Sequence, residues 1–133
     1  MPPRRSILSV PGHVEKMHVK AFGTKADAIL FDLEDSVPPE AKRDARRQVI
    51  QTLKNADAKT PLLSVRINAL DTPCGYRDLL EVVEAAGDHI RTVVIPKVNH
   101  PGDIHFVERL LDGIEMAVGR PLPIGIEASI ETA

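Results

Sequence analysis

Three carboxylates crowd one short stretch of the chain. In "AILFDLEDSV" (28–37) an apolar run leads directly into Asp32, Glu34 and Asp35. Acidic residues are depleted in strands and costly to bury without partners. Their arrival at the end of a strand therefore points to ion pairing or to chemistry. Complementary groups close three other apolar runs. Ser64, Arg66 and Asn68 alternate with Leu63, Val65 and Ile67. Lys97 follows "TVVIP" (92–96), and Glu127 and Glu131 follow "LPIGI" (122–126). Carboxylate oxygens suit a hard divalent cation. A guanidinium fork suits a carboxylate or carbonyl. Set beside one another, these groups make a polar site that could hold such a cation and an anionic or carbonyl-bearing ligand.

To meet, they must be carried to one edge by a common scaffold. Five short apolar runs read as strands: 6–11, 27–34, 61–68, 92–98 and 122–129. Between them lie four segments suited to helices, at 13–23, 38–56, 76–87 and 103–119. Prolines open the second, apolar residues Ala45, Val49, Ile50 and Leu53 share one face of it, and glycines close the others. Strict β-α alternation with short connections predicts a parallel sheet with right-handed crossovers. Polar groups at the carboxyl ends of parallel strands are where such folds collect their chemistry. An open doubly wound sheet and a (β/α)₈ barrel both satisfy the pattern. No G-x-G-x-x-G follows the first strand and no Walker motif occurs, which weighs against a nucleotide-binding sheet. A barrel takes roughly 250 residues. The 133 residues and five strands here therefore predict about the first half of one.

Composition narrows the partners. There are 17 basic and 19 acidic residues, a net charge of −2, and 43% hydrophobic residues. This balance gives no electrostatic footprint for nucleic acid or a membrane surface. No apolar run approaches the length of a membrane span, and "MPPRRS" is not followed by an apolar stretch of signal-peptide length. A lone cysteine, Cys74, excludes an internal disulfide and fits a reducing cytoplasm. Each polar residue also has a plainer reading. Arg66 can serve only as a structural partner of Glu34 or Asp35, and Lys97 as a solvated loop lysine. The basic run "AKRDARR" (41–47) reads as a solvated helix face. The five histidines have no metal-ligand spacing and read as surface or capping residues. Their joint occurrence at successive strand ends is what favours a site.

Six stretches carry a further signal: "RRSILSVPG" (4–12), "DAILFDLEDSV" (27–37), "AKRDAR" (41–46), "VRIN" (65–68), "VVIPKV" (93–98) and "IETA" (130–133). In this order and spacing the chain resembles the citrate lyase β-subunit and malyl-CoA lyase family of CoA-ester lyases, related to the HpcH/HpaI aldolases. "LPIGIEASIETA" resembles the malyl-CoA branch more closely. The resemblance implies an α/β fold, a (β/α)₈ barrel of the phosphoenolpyruvate/pyruvate superfamily. It implies an Mg²⁺-dependent carbon–carbon lyase acting on a CoA thioester, forming a homo-oligomer, trimer or hexamer, at full length. By the same resemblance Arg66 contacts substrate and stabilises an enolate, Glu131 ligates Mg²⁺, and Glu34 and Asp35 line the metal site. Arg5 and Lys97 help to orient the site or CoA. A second metal-binding aspartate is expected about 25–30 residues after Glu131, beyond Ala133, so this chain alone is expected to lack activity. A non-catalytic half-barrel and a pyruvate-type aldolase are the competing expectations.

Overall fold

The computed structural model describes residues 2–57 and 61–132. Five strands run in chain order: β1 (Ile7–Pro11), β2 (Ala28–Asp32), β3 (Leu62–Arg66), β4 (Thr92–Ile95) and β5 (Gly125–Ala128). They alternate with α1 (Glu15–Phe22), α2 (Lys42–Asn55), α3 (Gly75–Ala86) and α4 (Pro101–Val118). Every neighbouring pair is parallel, and the spatial order is β1-β2-β3-β4-β5. That order decides between the two architectures. With right-handed crossovers, strands added always on the same side keep every helix on one face. A doubly wound sheet must reverse its order. The sheet is therefore an arc of a (β/α) barrel.

The helix-side face is built from alternate strand residues. Ile29, Phe31, Val65, Val93 and Ile95 are buried there in one apolar cluster with Val49 and Leu53 of α2, Leu79, Val82 and Val83 of α3, and Val107, Leu111 and Ile114 of α4. These helical positions recur at three- and four-residue intervals, which is why each segment folds as a one-sided helix. Helix α2 packs against α3, and α3 against α4. The other face of the sheet carries Leu30, Asp32, Ser64, Arg66, Thr92, Val94 and Glu127, since successive side chains alternate.

The regular strands are shorter than the apolar runs suggest: the second, third and fourth runs spend their last two or three residues in the turn that follows, and the fifth run starts its strand three residues late, at Gly125. Helix α4 begins at Pro101 because His100 caps it. The His100 Nδ1 accepts from Gly102 N–H at 2.8 Å, and Asp103 Oδ2 accepts from His100 N–H at 3.3 Å. Gly119, at φ 75°, closes the same helix in the left-handed conformation that glycine adopts cheaply. Gly12 serves a different purpose. Its N–H donates to Asp32 O at 2.7 Å, drawing the exits of β1 and β2 together, and a Cβ there would stand 2.7 Å from that oxygen.

Two expectations need correction. The "AKRDARR" run is only partly solvated. Arg46 is buried, its Nε 2.9 Å from Asp78 Oδ1 and its Nη1 2.7 Å from Glu81 Oε2 on α3. Lys42 Nζ donates to Leu33 O at 2.9 Å and Glu34 O at 2.6 Å. Nor is every histidine on the surface. His18 is buried edge-on against Phe31, between Thr52 Oγ1 and Pro11 O.

Candidate functional site at the carboxyl edge of the sheet

Asp32 is the last residue of β2, and it lies beside Arg66, the last residue of β3, in the parallel register. Adjacent rows put both side chains on the same face, and they meet as a two-pronged pair. Arg66 Nε donates to Asp32 Oδ1 and Nη2 to Oδ2, both at 2.8 Å. The Asp32 carboxylate also accepts Glu34 N–H at 2.9 Å, Ser36 N–H at 3.0 Å and Ser36 Oγ–H at 2.5 Å. Burial alone would raise this carboxyl. The guanidinium, the hydroxyl and the two backbone donors outweigh burial and hold it well below the usual carboxylate range. Asp32 therefore stays charged and folds the β2 exit around itself.

That turn aims Glu34 into the site. Glu34 is 4% exposed, and its two carboxylate oxygens are each met by a cation at ion-pair distance. Arg66 Nε lies 3.6 Å from Oε1 and Lys97 Nζ 3.4 Å from Oε2. Burial first, and the neighbouring Asp35 charge second, push the Glu34 carboxyl above its ordinary value, although Arg66 and Lys97 oppose them. Asp35 is exposed, with Oδ1 3.7 Å from Lys97 Nζ. Lys97 in turn is held up by Glu34 and then Asp35 above the usual lysine range. Glu131, after β5, accepts Lys97 N–H and Ser129 Oγ–H, both at 3.2 Å on Oε1.

Thus Arg66, Glu34, Asp35, Lys97 and Glu131 are linked through direct contacts at one edge. The two-pronged partner of Arg66 is Asp32, which a purely structural reading did not single out, while the expected Glu34 contact is present as a longer ion pair at 3.6 Å. Arg5 is not brought to this edge. It forms an ion pair with Asp27, just before β2, at the opposite end of the sheet, with Nε 3.1 Å from Oδ2. Its neighbour Arg4 turns the other way, and Nη1 meets Glu127 Oε1 at 2.6 Å. Glu127 is consequently engaged within the sheet face and does not join the cluster. Asn68 is also diverted: its N–H and Nδ2 both donate to Asp78 Oδ2 of α3, at 2.8 and 2.6 Å.

The carboxylates of Glu34 and Glu131 are the donor type that a hard cation such as Mg²⁺ takes. Among the described residues, no three His, Cys, Asp or Glu side chains converge closely enough to hold a metal ion. The chemistry fits and the ligand count is incomplete. A groove of about 470 Å³ between α1 and α2 shares no residue with the cluster.

Comparison with known proteins agrees with the fold and the motifs. The family described as HpcH/HpaI aldolase/citrate lyase matches residues 5–133. An L-malyl-CoA/beta-methylmalyl-CoA lyase of Cereibacter sphaeroides (strain ATCC 17029 / ATH 2.4.9) is 42% identical over 131 residues, 98% of this chain and 41% of that protein. A malyl-CoA/beta-methylmalyl-CoA/citramalyl-CoA lyase of Chloroflexus aurantiacus is 38% identical over 133 residues, again 98% of this chain and 38% of the relative. The citrate lyase beta subunit of M. tuberculosis, solved with oxaloacetate and magnesium, superposes with a TM-score of 0.70 at 29% identity, covering 100% of this chain and 51% of that one. The chain spans about two fifths of the length of the curated relatives it matches. On these grounds it belongs to the HpcH/HpaI aldolase/citrate lyase family.

Proposed function

We propose that this chain supplies the first five strands of a barrel that cleaves a 3-hydroxyacyl-CoA of the malyl-CoA type into acetyl- or propionyl-CoA and a 2-oxo acid. The supporting observation is the Arg66–Asp32 pair beside the buried Glu34 carboxylate, in a chain 42% identical to a malyl-CoA/beta-methylmalyl-CoA lyase. Asp32 takes up only Nε and one hydrogen of Nη2. A guanidinium has five N–H donors, so Nη1 and the rest of Nη2 are left to face a ligand oxygen.

In the reaction a base removes the proton of the 3-hydroxyl group. The oxygen electrons form the new carbonyl, and the Cα–Cβ pair passes to the thioester as an enolate. Arg66 stabilises the charge on the thioester oxygen, a role worth about 3–4 kcal/mol per donor where it has been measured. Asp32 keeps the fork planar to the site and fully charged. When bound, Mg²⁺ supplies Lewis acidity to the oxygens that become the 2-oxo acid, with Glu131 as a ligand and Glu34 and Asp35 beside it. Lys97 orients the carboxylates or the CoA phosphates. Residues 1–133 alone are expected to be inactive, because the described donors do not complete a metal site.

The test is to read the coding sequence downstream of Ala133 and assay its whole product on malyl-CoA with and without Mg²⁺. Magnesium-dependent formation of a 2-oxo acid, lost in Arg66→Lys, is expected, since lysine lacks the planar fork. Near-normal turnover by Arg66→Lys refutes its role. Cleavage of free 2-oxo acids alone would make it an aldolase, and a genuine stop with no continuation would favour a half-barrel.

A further inference from the structure

Helix α2 places an arginine where an apolar side chain would pack. Arg46 and Asp78 face each other between α2 and α3, Nε 2.9 Å from Oδ1, with side chains 7% and 0% exposed. A buried pair of this kind is weak evidence for stability, because replacing it by apolar residues of similar volume is often neutral or stabilising. The second oxygen of Asp78 points to another use. Oδ2 accepts the backbone N–H of Asn68 at 2.8 Å and Asn68 Nδ2 at 2.6 Å. Two donors of one residue on one oxygen fix its backbone and its side chain together. Asn68 stands two residues beyond Arg66, where β3 has ended. Between them, Ile67 N–H donates to Val94 O at 3.2 Å, and Arg66 O accepts from Leu33 N–H at 3.0 Å. The segment that carries Arg66 out of the sheet is thus held along its sides by backbone bonds to β2 and β4. At its far end it is held by a carboxylate that Arg46 keeps in place.

We propose that Arg46 and Asp78 are positioning residues for Arg66: acting through Asn68, the pair sets the direction in which the β3 exit leaves the sheet, and with it the pose of the guanidinium. This rests on the reading of Arg66 as the group that meets the thioester oxygen, and extends it to two residues that lie a layer away from any ligand. A pair that only ties α2 to α3 would make the same contacts with each other. It would have no effect on Arg66 beyond what lost stability brings.

The experiment reads solvent exchange of the Arg66 Nε–H by proton–nitrogen NMR on the 133-residue chain, the signal being assigned by its loss in Arg66→Lys. Arg46→Met/Asp78→Leu replaces the pair with apolar side chains, and Glu81, 46% exposed, passes from Arg46 to water. Arg46→Gln/Asp78→Asn removes both charges but keeps an oxygen for Asn68. Val82→Ala, a buried truncation on the same helix, controls for lost stability alone. Urea midpoints rank the variants. The apolar double variant is expected to exchange at least about threefold faster than the parent, with the amide double variant and Val82→Ala near the parent rate. An apolar double variant no faster than Val82→Ala, or no faster than the amide double variant, overturns the proposal. Where it does not fold, Asn68→Ala, which leaves the pair whole, is read in its place against the same two references. In the whole coding product the apolar variant is expected to lose about tenfold or more in kcat with KM little changed, since a misplacement of about 1 Å made far from the chemistry can cost about 10²-fold. An unchanged kcat in an active product likewise overturns the proposal. A product without lyase activity refutes the enzymatic reading, and the exchange rates alone then decide the positioning.

Discussion

Asn at position 32 should unfold more than one side chain's worth of structure. The Asp32 carboxylate accepts from Arg66 Nε and Glu34 N–H on Oδ1, and from Arg66 Nη2, Ser36 N–H and Ser36 Oγ–H on Oδ2. Asp32→Asn keeps the shape, but its NH₂ group must replace one of these oxygens. On the Oδ1 side it faces two donors and on the Oδ2 side three, so no flip avoids donor–donor opposition. Hydrogen bonds to charged groups contribute about 1.5–3 kcal/mol each. Breaking a buried ion pair costs about 3–5 kcal/mol. Arg66 is a quarter exposed, which screens its share. A loss of about 3 kcal/mol is therefore expected, or about 10 °C in Tm for a chain of this size. Urea unfolding followed at 222 nm measures it, as a lower midpoint with an unchanged slope. The pH dependence supplies a second check. The folded carboxyl is held below its ordinary value of 3.8, so the unfolded chain binds the extra proton. Its stabilisation is present above about pH 4 and lost as pH falls toward the folded value. The asparagine variant should lack that portion of the acid loss. A cost under about 0.5 kcal/mol with unchanged acid sensitivity would refute the view that Asp32 organises this edge.

Two more outcomes follow from the fold. His18 is buried as the Nε2–H tautomer, donating to Pro11 O at 2.9 Å and accepting from Thr52 Oγ1 at 2.8 Å. Burial lowers its basicity below the ordinary value of 6.5. Its stabilisation is full above that pH and lost below it, so the urea midpoint should fall between pH 7 and 5 and lose that slope in His18→Gln. In Gly12→Ala the added Cβ meets Asp32 O at 2.7 Å and Leu33 Cδ2 at 2.9 Å. A cost of about 2 kcal/mol is expected by the same denaturation assay.

Strand-end chemistry was legible because period-two alternation and apolar run length are properties of one segment. Arg66 and Ser64 could be placed on one face from "LLSVRIN" alone, and the exits of β2, β4 and β5 could be sent to a common edge by parallel topology. Register is a property of two segments. Nothing within "FDLED" says which of its three acids lies in the row of Arg66, and the structure gives that place to Asp32. The adjacent Arg4 and Arg5 show the same gap. Their spacing places one toward each side of the chain, and only the structure tells that Arg4 takes the sheet face, against Glu127, while Arg5 stays at the amino-terminal end with Asp27.

The harder failure concerns contacts between layers. "AKRDARR" reads as a solvated face because helix periodicity sorts residues by hydrophobicity, and Lys42 and Arg46 sort as polar. Each nonetheless reaches across the crossover. Lys42 holds the carbonyls of Leu33 and Glu34. Arg46 neutralises Asp78, whose carboxyl burial raises despite Asn68 and Arg46, and Asp78 in turn holds Asn68 two residues beyond Arg66. A buried charge of this kind costs more than an apolar residue of the same volume. What it supplies here is direction. Leucine in place of Asp78 would fill the space but could not fix a backbone N–H and a side-chain amide at once. The helical layer thereby sets the pose of both exits that flank Arg66. The residues that aim the site therefore lie a layer away from it, where no strand pattern can point.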